Sequence, residues 1–483
     1  MNWKWASRFV FGAAAAAAVA FSGCGNANSI HIGGGGNATF AVTITDAMPA
    51  NTSITSFVVT ISGITADPTS GSSVSLLSAP ATVDLVRLQA DDLFVSSTSI
   101  TAGSYASVTV TLANPVVTFV NRSGSTISGC ANGAVCKVAV AASGSVKLAT
   151  SPFPLTLTEN QKTGVRLDFN FANAISVSGG NLAVNFAQAG VLSAAVLPQG
   201  NPPSGESDFV SDYLGVVTAV NASSKTVTLS SLTLFPAQVT ATVNSNTVFD
   251  NFTISGSCPS PSLSCVATGQ VLSADLSVNS DGTLTASEIE FEDTAADDEL
   301  EGVVTSVNAA TQFSMAVTGK IQANSSLIGS VAVGDPVIVN LQINPAFAVD
   351  EKGLAIPVGP LGLFQGSSDT SVMVPGEVVQ VRVKTFSLPP APASAIVAVD
   401  RVRLRFSRFT ATVSGGPTPP FFDITNLPPF FALGIVQVET FPLQTHFEGV
   451  TDASGLADAQ TVSLRALYIN AAPPFYALSV RKH

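Results

Sequence analysis

The sequence predicts an all-β protein: an N-terminal β-sandwich followed by two or three small OB-like β-barrel repeats. Three observations carry this. Of 483 residues, 46% are apolar and only 11% charged, with Val, Thr, Ser and Phe prominent, which is the make-up of half-exposed strands. Apolar residues alternate over short runs, with no sustained recurrence every three or four positions between 39 and 195. Finally, a block of the C-terminal half repeats. Gly215-Val216-Val217-Thr218-Ala219-Val220-Asn221-Ala222 returns 87 residues on as Gly302-Val303-Val304-Thr305-Ser306-Val307-Asn308-Ala309.

The first segment, 1–23, reads as a signal peptide. Lys4 and Arg8 precede an uncharged run from Phe9 to Ala20 with six consecutive alanines, Ala13 to Ala18, and small residues lead to Cys24. This is the layout of a secretory signal, too short for a permanent transmembrane helix. It also resembles a bacterial lipoprotein signal, which implies that Cys24 is lipidated and becomes the mature N-terminus. Phe21 stands where that pattern prefers Leu, and ordinary cleavage after Ala18-Val19-Ala20 is the alternative. The cysteine count favours lipidation: Cys130 lies near Cys136 and Cys258 near Cys265, which leaves Cys24 over. One acyl chain anchors only marginally, so a stable anchor needs several. Gly25, not Asp, follows Cys24. In a two-membrane host, resemblance to known sorting rules then implies the outer membrane. Residues 24–37, with Gly33 to Gly36, form a flexible tether.

A mature chain of about 460 residues is too long for one core. The formal net charge of −12 becomes −14 without Lys4 and Arg8, so nucleic acid and anionic lipid surfaces are poor partners. The two cysteine pairs suit an oxidising compartment. As disulfides, each closing a loop of about seven residues, they are worth roughly 2 to 2.5 kcal/mol apiece; the alternative is free buried thiols. Zinc is disfavoured, because no histidine or third cysteine lies near either pair.

Strands of the sandwich, 38–196, follow in order. Thr39 to Thr45 places Phe40, Val42 and Ile44 on one face; Ser56 to Ile61, Val74 to Leu77 and Ser107 to Leu112 come next. Met48-Pro49, Ala66-Asp67-Pro68 and Ala102-Gly103 mark turns. Val83 to Asp91 is the one stretch that suits a short helical turn. Val165 to Phe171 and Leu182 to Phe186 resume the strand pattern. Thr43-Ile44-Thr45-Asp46-Ala47, Val83-Asp84-Leu85-Val86-Arg87-Leu88 and Thr101-Ala102-Gly103-Ser104-Tyr105, in this order, resemble the family known as domain of unknown function 4382 over roughly residues 38 to 190. That family is found in bacterial envelope proteins and implies no particular activity.

Residues 197–208 (LPQGNPPSGES and Asp208) are a linker by composition. The repeats occupy 209–296 and 297–407. Each opens with a hairpin through Asn-Ala-Ser-Ser-Lys or Asn-Ala-Ala-Thr-Gln. Each later has a strand after Gly269-Gln270 or Gly376-Glu377, and each closes with another, Leu284 to Phe291 or Ile396 to Phe406. Asp281-Gly282 marks a turn. The pattern resembles the family known as domain of unknown function 5666, again without an implied activity, and reads as a five- or six-stranded barrel of the OB-like kind. A third, diverged unit, 408–483, has strands at Phe409 to Val413, Leu433 to Val438, Val462 to Tyr468 and Tyr476 to Val480.

Chemistry-bearing patterns are sparse. His31 lies in the tether and His483 is the last residue, so a Ser–His–Asp triad would have to use His446, more simply read as a surface histidine beside Glu448. G-x-S-x-G, H-E-x-x-H and P-loop spacings are absent. Glu288, Glu290 and Glu292 share a strand face, and Asp297, Asp298, Glu299 and Glu301 follow. Their spacing matches no calcium loop, and a solvated acidic linker is the default. Arg401, Arg403 and Arg405, then Arg408, occupy the equivalent strand of the next repeat. Either the two stripes pair across the module boundary, or both face solvent, where each pair is worth about 0 to 1 kcal/mol. Pro419-Pro420-Phe421-Phe422, Pro428-Pro429-Phe430-Phe431 and Pro473-Pro474-Phe475-Tyr476 recur in the third unit. Core filling is the first reading and an exposed ring patch the second.

The sequence therefore points to a lipid-anchored, non-enzymatic envelope protein with a binding, adhesive or spacer role towards protein or polysaccharide. It needs no cofactor or metal and no catalytic residue, and it has no nucleic-acid partner. The alternative is a carbohydrate-active hydrolase using paired carboxylates, which requires a pocket with two acids and a perturbed pKa.

Overall fold

Alternation along Asn37–Ala47 buries Phe40, Val42 and Ile44 in the core of the first module. In the computed structural model the described residues are 36–47, 53–197, 208–231, 238–250, 252, 258–279, 283–292, 297–323, 325–390 and 393–483. The signal, Cys24, nearly all of the tether and the Asp281-Gly282 turn lie outside them. Asn37–Ala47 pairs in parallel with Lys162–Asn170 and antiparallel with Leu93–Thr101. With Leu192–Val196 they make a four-stranded sheet. A seven-stranded sheet faces it, built on the long antiparallel pair Ile54–Pro68 and Gly103–Val120. Phe57 and Phe169 meet between the sheets, ring centroids 6.2 Å apart. The helical turn expected in Val83 to Asp91 is the 3-10 helix Leu85–Leu88, capped by Asp84, whose carboxylate accepts the Val86 N–H at 3.2 Å.

Three barrels follow, each closed by five strands; in the first and third a short sixth strand, Val248–Asp250 or His446–Glu448, pairs in parallel with the fifth. The first uses Asp208–Asn221, Thr226–Ser231, Gln238–Thr242, Val271–Val278 and Leu284–Glu292. The second uses Asp298–Ala309, Gln312–Ile321, Pro336–Val349, Val378–Ser387 and Ala395–Arg405. The third uses Ser407–Thr418, Phe421–Thr425, Val436–Thr440, Thr461–Tyr468 and Phe475–Lys482. In each, the first strand lies between the second and fourth, and the third closes the barrel by parallel pairing with the fifth. This is the Greek-key closure of the OB-like class.

The repeated Gly215 and Gly302 have a steric cause. A Cβ on Gly215 would sit 2.8 Å from the Ser230 carbonyl oxygen, and one on Gly302 would sit 2.6 Å from that of Ala316. Neighbouring strands thus approach too closely for any side chain.

One local device recurs in all three barrels and relates the diverged unit to the other two. Val217, Val304 and Val413 each donate their N–H to the carbonyl of Gln270, Glu377 and Gln460 respectively. The preceding Gly269, Gly376 and Ala459 donate back to the same valines. The Gln or Glu side chain accepts a backbone N–H three residues upstream, from Ala267, Val374 or Ala457, at 2.8 to 3.0 Å.

The Pro-Pro-aromatic phrases fill core. Phe422, Phe430, Phe431, Phe475 and Tyr476 are all buried. The Phe431 ring lies 5.1 Å from Phe409, 5.4 Å from Tyr468 and 5.7 Å from Phe475.

Candidate functional site

The solvent-facing reading of the two charged stripes is wrong. The fifth strand of the first barrel lies against that of the second, and Glu290 is 1% exposed. Arg403 Nη1 donates to Glu290 Oε1 at 2.6 Å, and Arg405 Nη1 reaches Glu290 Oε2 at 3.5 Å. Asp350 completes the cluster, 2.8 Å from Arg405 and 3.4 Å from Arg403. Arg405 also reaches Glu301 at 3.8 Å, and Glu301 lies 3.4 Å from Arg87 of the sandwich. Arg401 pairs instead within its own barrel, with Glu299. Arg408 bonds Asp91 of the sandwich at 2.5 Å.

A second charged group joins all three barrels. Lys352 Nζ, 3% exposed, lies 3.1 Å from Asp275 and 3.2 Å from Glu288. Arg465 of the third barrel approaches Asp275 at 3.6 Å. Strand register explains the meeting. Val248, Glu288 and Asp275 stand side by side on three adjacent strands of the first barrel. His446, Ser479 and Arg465 do so on the equivalent strands of the third. Both ladders line one cavity of about 250 Å³. Gln444 and His446 also line an outer cleft of about 630 Å³ walled by Pro419, Pro420, Phe441 and Leu443.

Burial pushes the Glu288 carboxyl up to about 7; Lys352 opposes this and Asp275 adds to it. The cavity thus holds two carboxylates, one of them able to give or take a proton near neutrality. Both touch Lys352, which restrains them as ion-pair partners.

A third cluster ties the third barrel to the sandwich. Glu448 accepts from Arg481 at 2.5 Å and pairs with Arg166. Against the upward push of burial, those two guanidiniums hold its carboxyl down at about 2. Arg481 and Arg166 also reach Asp92, at 3.3 and 3.7 Å.

Strand register sets His446 beside Ser479. A serine–histidine contact occurs elsewhere, 2.7 Å between Ser463 and His483, but Ser463 is fully buried. Among the described residues, no group of three or more His, Cys, Asp or Glu is arranged to hold a metal. Glu288, Glu290, Glu299 and Glu301 have lysine or arginine partners, which displaces the solvated-linker reading for this part of the acidic run. Cys130–Cys136 and Cys258–Cys265 are disulfides. No helix of the described residues is long and apolar enough to cross a membrane.

Asp275, Asp350, Lys352, Arg465, Arg481, Asp92 and Arg166 escaped the sequence reading. A signal was present for Asp275 and Arg465: each is the one charged residue in its strand, Val271–Val278 or Thr461–Tyr468.

Residues 37–186 match the family model described as domain of unknown function 4382, and residues 215–290 match that of domain of unknown function 5666. The first covers the sandwich except its last strand, Leu192–Val196, and the second the body of the first barrel. No curated protein matches the chain.

Proposed function

We propose that the chain is an exported protein of the bacterial cell envelope, anchored through lipid on Cys24, with a binding or spacer role and no catalysis. The observation that supports this reading is the fate of its charges. The clustered acids and bases at the module boundaries are taken up in ion pairs that fix neighbouring modules against one another. A reactive site would need such groups held ready for substrate. Two disulfides are compatible with export. The test is metabolic labelling with a fatty-acid analogue, followed by membrane fractionation of the native chain and of Cys24→Ala. Label on the native chain alone, with release of the variant from the membrane, is expected. An unlabelled native chain in the cytosol overturns the proposal.

A second reading is a carbohydrate-active hydrolase, favoured by Asp275 and Glu288 in their cavity. It requires turnover of glycosides that Glu288→Gln abolishes; turnover unaffected by that change removes these two residues from the reading.

A further inference from the structure

The boundary between the sandwich and the first barrel differs from the charged seams. It holds a groove of about 870 Å³ whose lining, among the described residues, carries no charged side chain. One wall is Leu93–Thr101, the outer strand of the four-stranded sheet. It pairs with Asn37–Ala47 on one side and with no described strand on the other. The opposite wall is Gln238–Thr242. This strand pairs along its length with Thr226–Ser231, but with Leu284–Glu292 only at Ala241 and Thr242. Residues 238–240 thus present a second edge without a described partner strand.

Exposed edges invite strand pairing, and proteins usually guard them with lysine, proline or an inward charge. Leu93–Thr101 reads Leu-Phe-Val-Ser-Ser-Thr-Ser-Ile-Thr and carries none of these. The dimensions suit a guest. A strand residue occupies roughly 3.3 by 4.8 by 10 Å, or about 160 Å³. The groove therefore has room for about five residues, a length comparable to the lining stretches 94–98 and 238–242. The lining offers apolar contacts at Leu76, Phe94 and Leu284 and hydroxyls at Ser97, Thr98 and Thr240. A neutral sugar would want an open aromatic face, and Phe94 is only 8% exposed.

We propose that this groove takes an extended, uncharged peptide segment of a partner protein, adding as a strand to both walls. The proposal rests on the binding role above and names the class of partner. The probe is a capped peptide, Ser-Val-Thr-Val-Thr, the sequence of residues 107–111, titrated into the full chain. Binding is followed by fluorescence polarisation and amide hydrogen exchange. Saturable binding is expected, with exchange slowed at least tenfold in residues 94–98 and 238–240. Ser97→Lys and Thr240→Lys, each at a partly or fully exposed position, should weaken binding at least tenfold without altering the far-UV spectrum. The peptide with proline at its centre should not bind. The proposal is overturned by no protection at millimolar peptide, or by binding indifferent to both lysine variants. It is also overturned if a neutral oligosaccharide protects those amides and the peptide does not, an outcome that leaves the binding role standing.

Discussion

Glu377→Gln should stabilise the second barrel, by an amount that grows with pH. Glu377 occupies the position held by Gln270 and Gln460 in the other two barrels. It is fully buried; one carboxyl oxygen accepts the Val374 N–H at 3.0 Å and the other, Oε1, has no partner. Burial raises its pKa well above the ordinary value, the Val374 hydrogen bond opposing only in part. The folded chain therefore keeps a proton that the unfolded chain gives up above about pH 4.3. Stability from this group is complete below that pH and is lost as pH rises towards the folded pKa, at about 1.4 kcal/mol per unit. At pH 7 the loss has a ceiling of about 3.7 kcal/mol. Glutamine keeps the acceptor for Val374 and cannot ionise, so it removes this loss. The assay is denaturation of the full chain and of Glu377→Gln between pH 4.5 and 7.5, with hydrogen exchange in Val378–Ser387 to localise the effect. The two should nearly coincide at pH 4.5, and the variant's lead should widen with pH, staying within the ceiling of about 3.7 kcal/mol at pH 7. A pH-independent difference, or a variant less stable at pH 7, refutes the reasoning.

Two further outcomes follow from the packing. Glu290→Ala leaves Arg403 and Arg405 with Asp350 and, for Arg405, Glu301, removes the first barrel's carboxylate from their cluster, and should cost about 1 to 3 kcal/mol; calorimetry and small-angle scattering would show earlier melting and a looser body, and an unchanged profile of both would contradict it. Ala459 holds φ +60 where the other barrels use Gly269 and Gly376, so Ala459→Gly should stabilise the third barrel by about 0.5 to 1 kcal/mol, read as a rise in its melting temperature.

The barrels were legible because their signals are local. Gly-Val-Val-Thr, the Asn-Ala hairpins and the Gly-Gln and Gly-Glu steps each act within a few residues. Even so, Ala459-Gln460 hid the third instance of that step, because an alanine at positive φ does not advertise a turn. Several sandwich strands were missed for a related reason. Leu93–Thr101 and Ser143–Leu148 are rich in Ser and Thr and alternate weakly, so pairing with Asn37–Ala47 and Gly103–Val120 decides their conformation. The site was less legible still. The Glu and Arg stripes were visible as stripes, but their burial depends on how two barrels abut. Lys352 lies 64 residues from Glu288, and nothing local links them.

The charge pattern also explains how near-copies assemble in a fixed order. The first two barrels share backbone plan and opening motif but differ on the fifth strand, where one carries glutamates and the other arginines. Identical stripes would repel across the seam, whereas opposite ones make the first barrel's face complementary to the second's and to no copy of itself. Buried pairs of this kind add little net stability over apolar packing, yet leaving one unpaired is costly, so what they enforce is register. The same logic operates between the outer barrels, where equivalent three-strand ladders meet with Asp275 on one and Arg465 on the other. The sandwich–first-barrel groove lacks this device. Its uncharged, unguarded edges therefore make it the boundary at which the fold leaves room for a strand from outside.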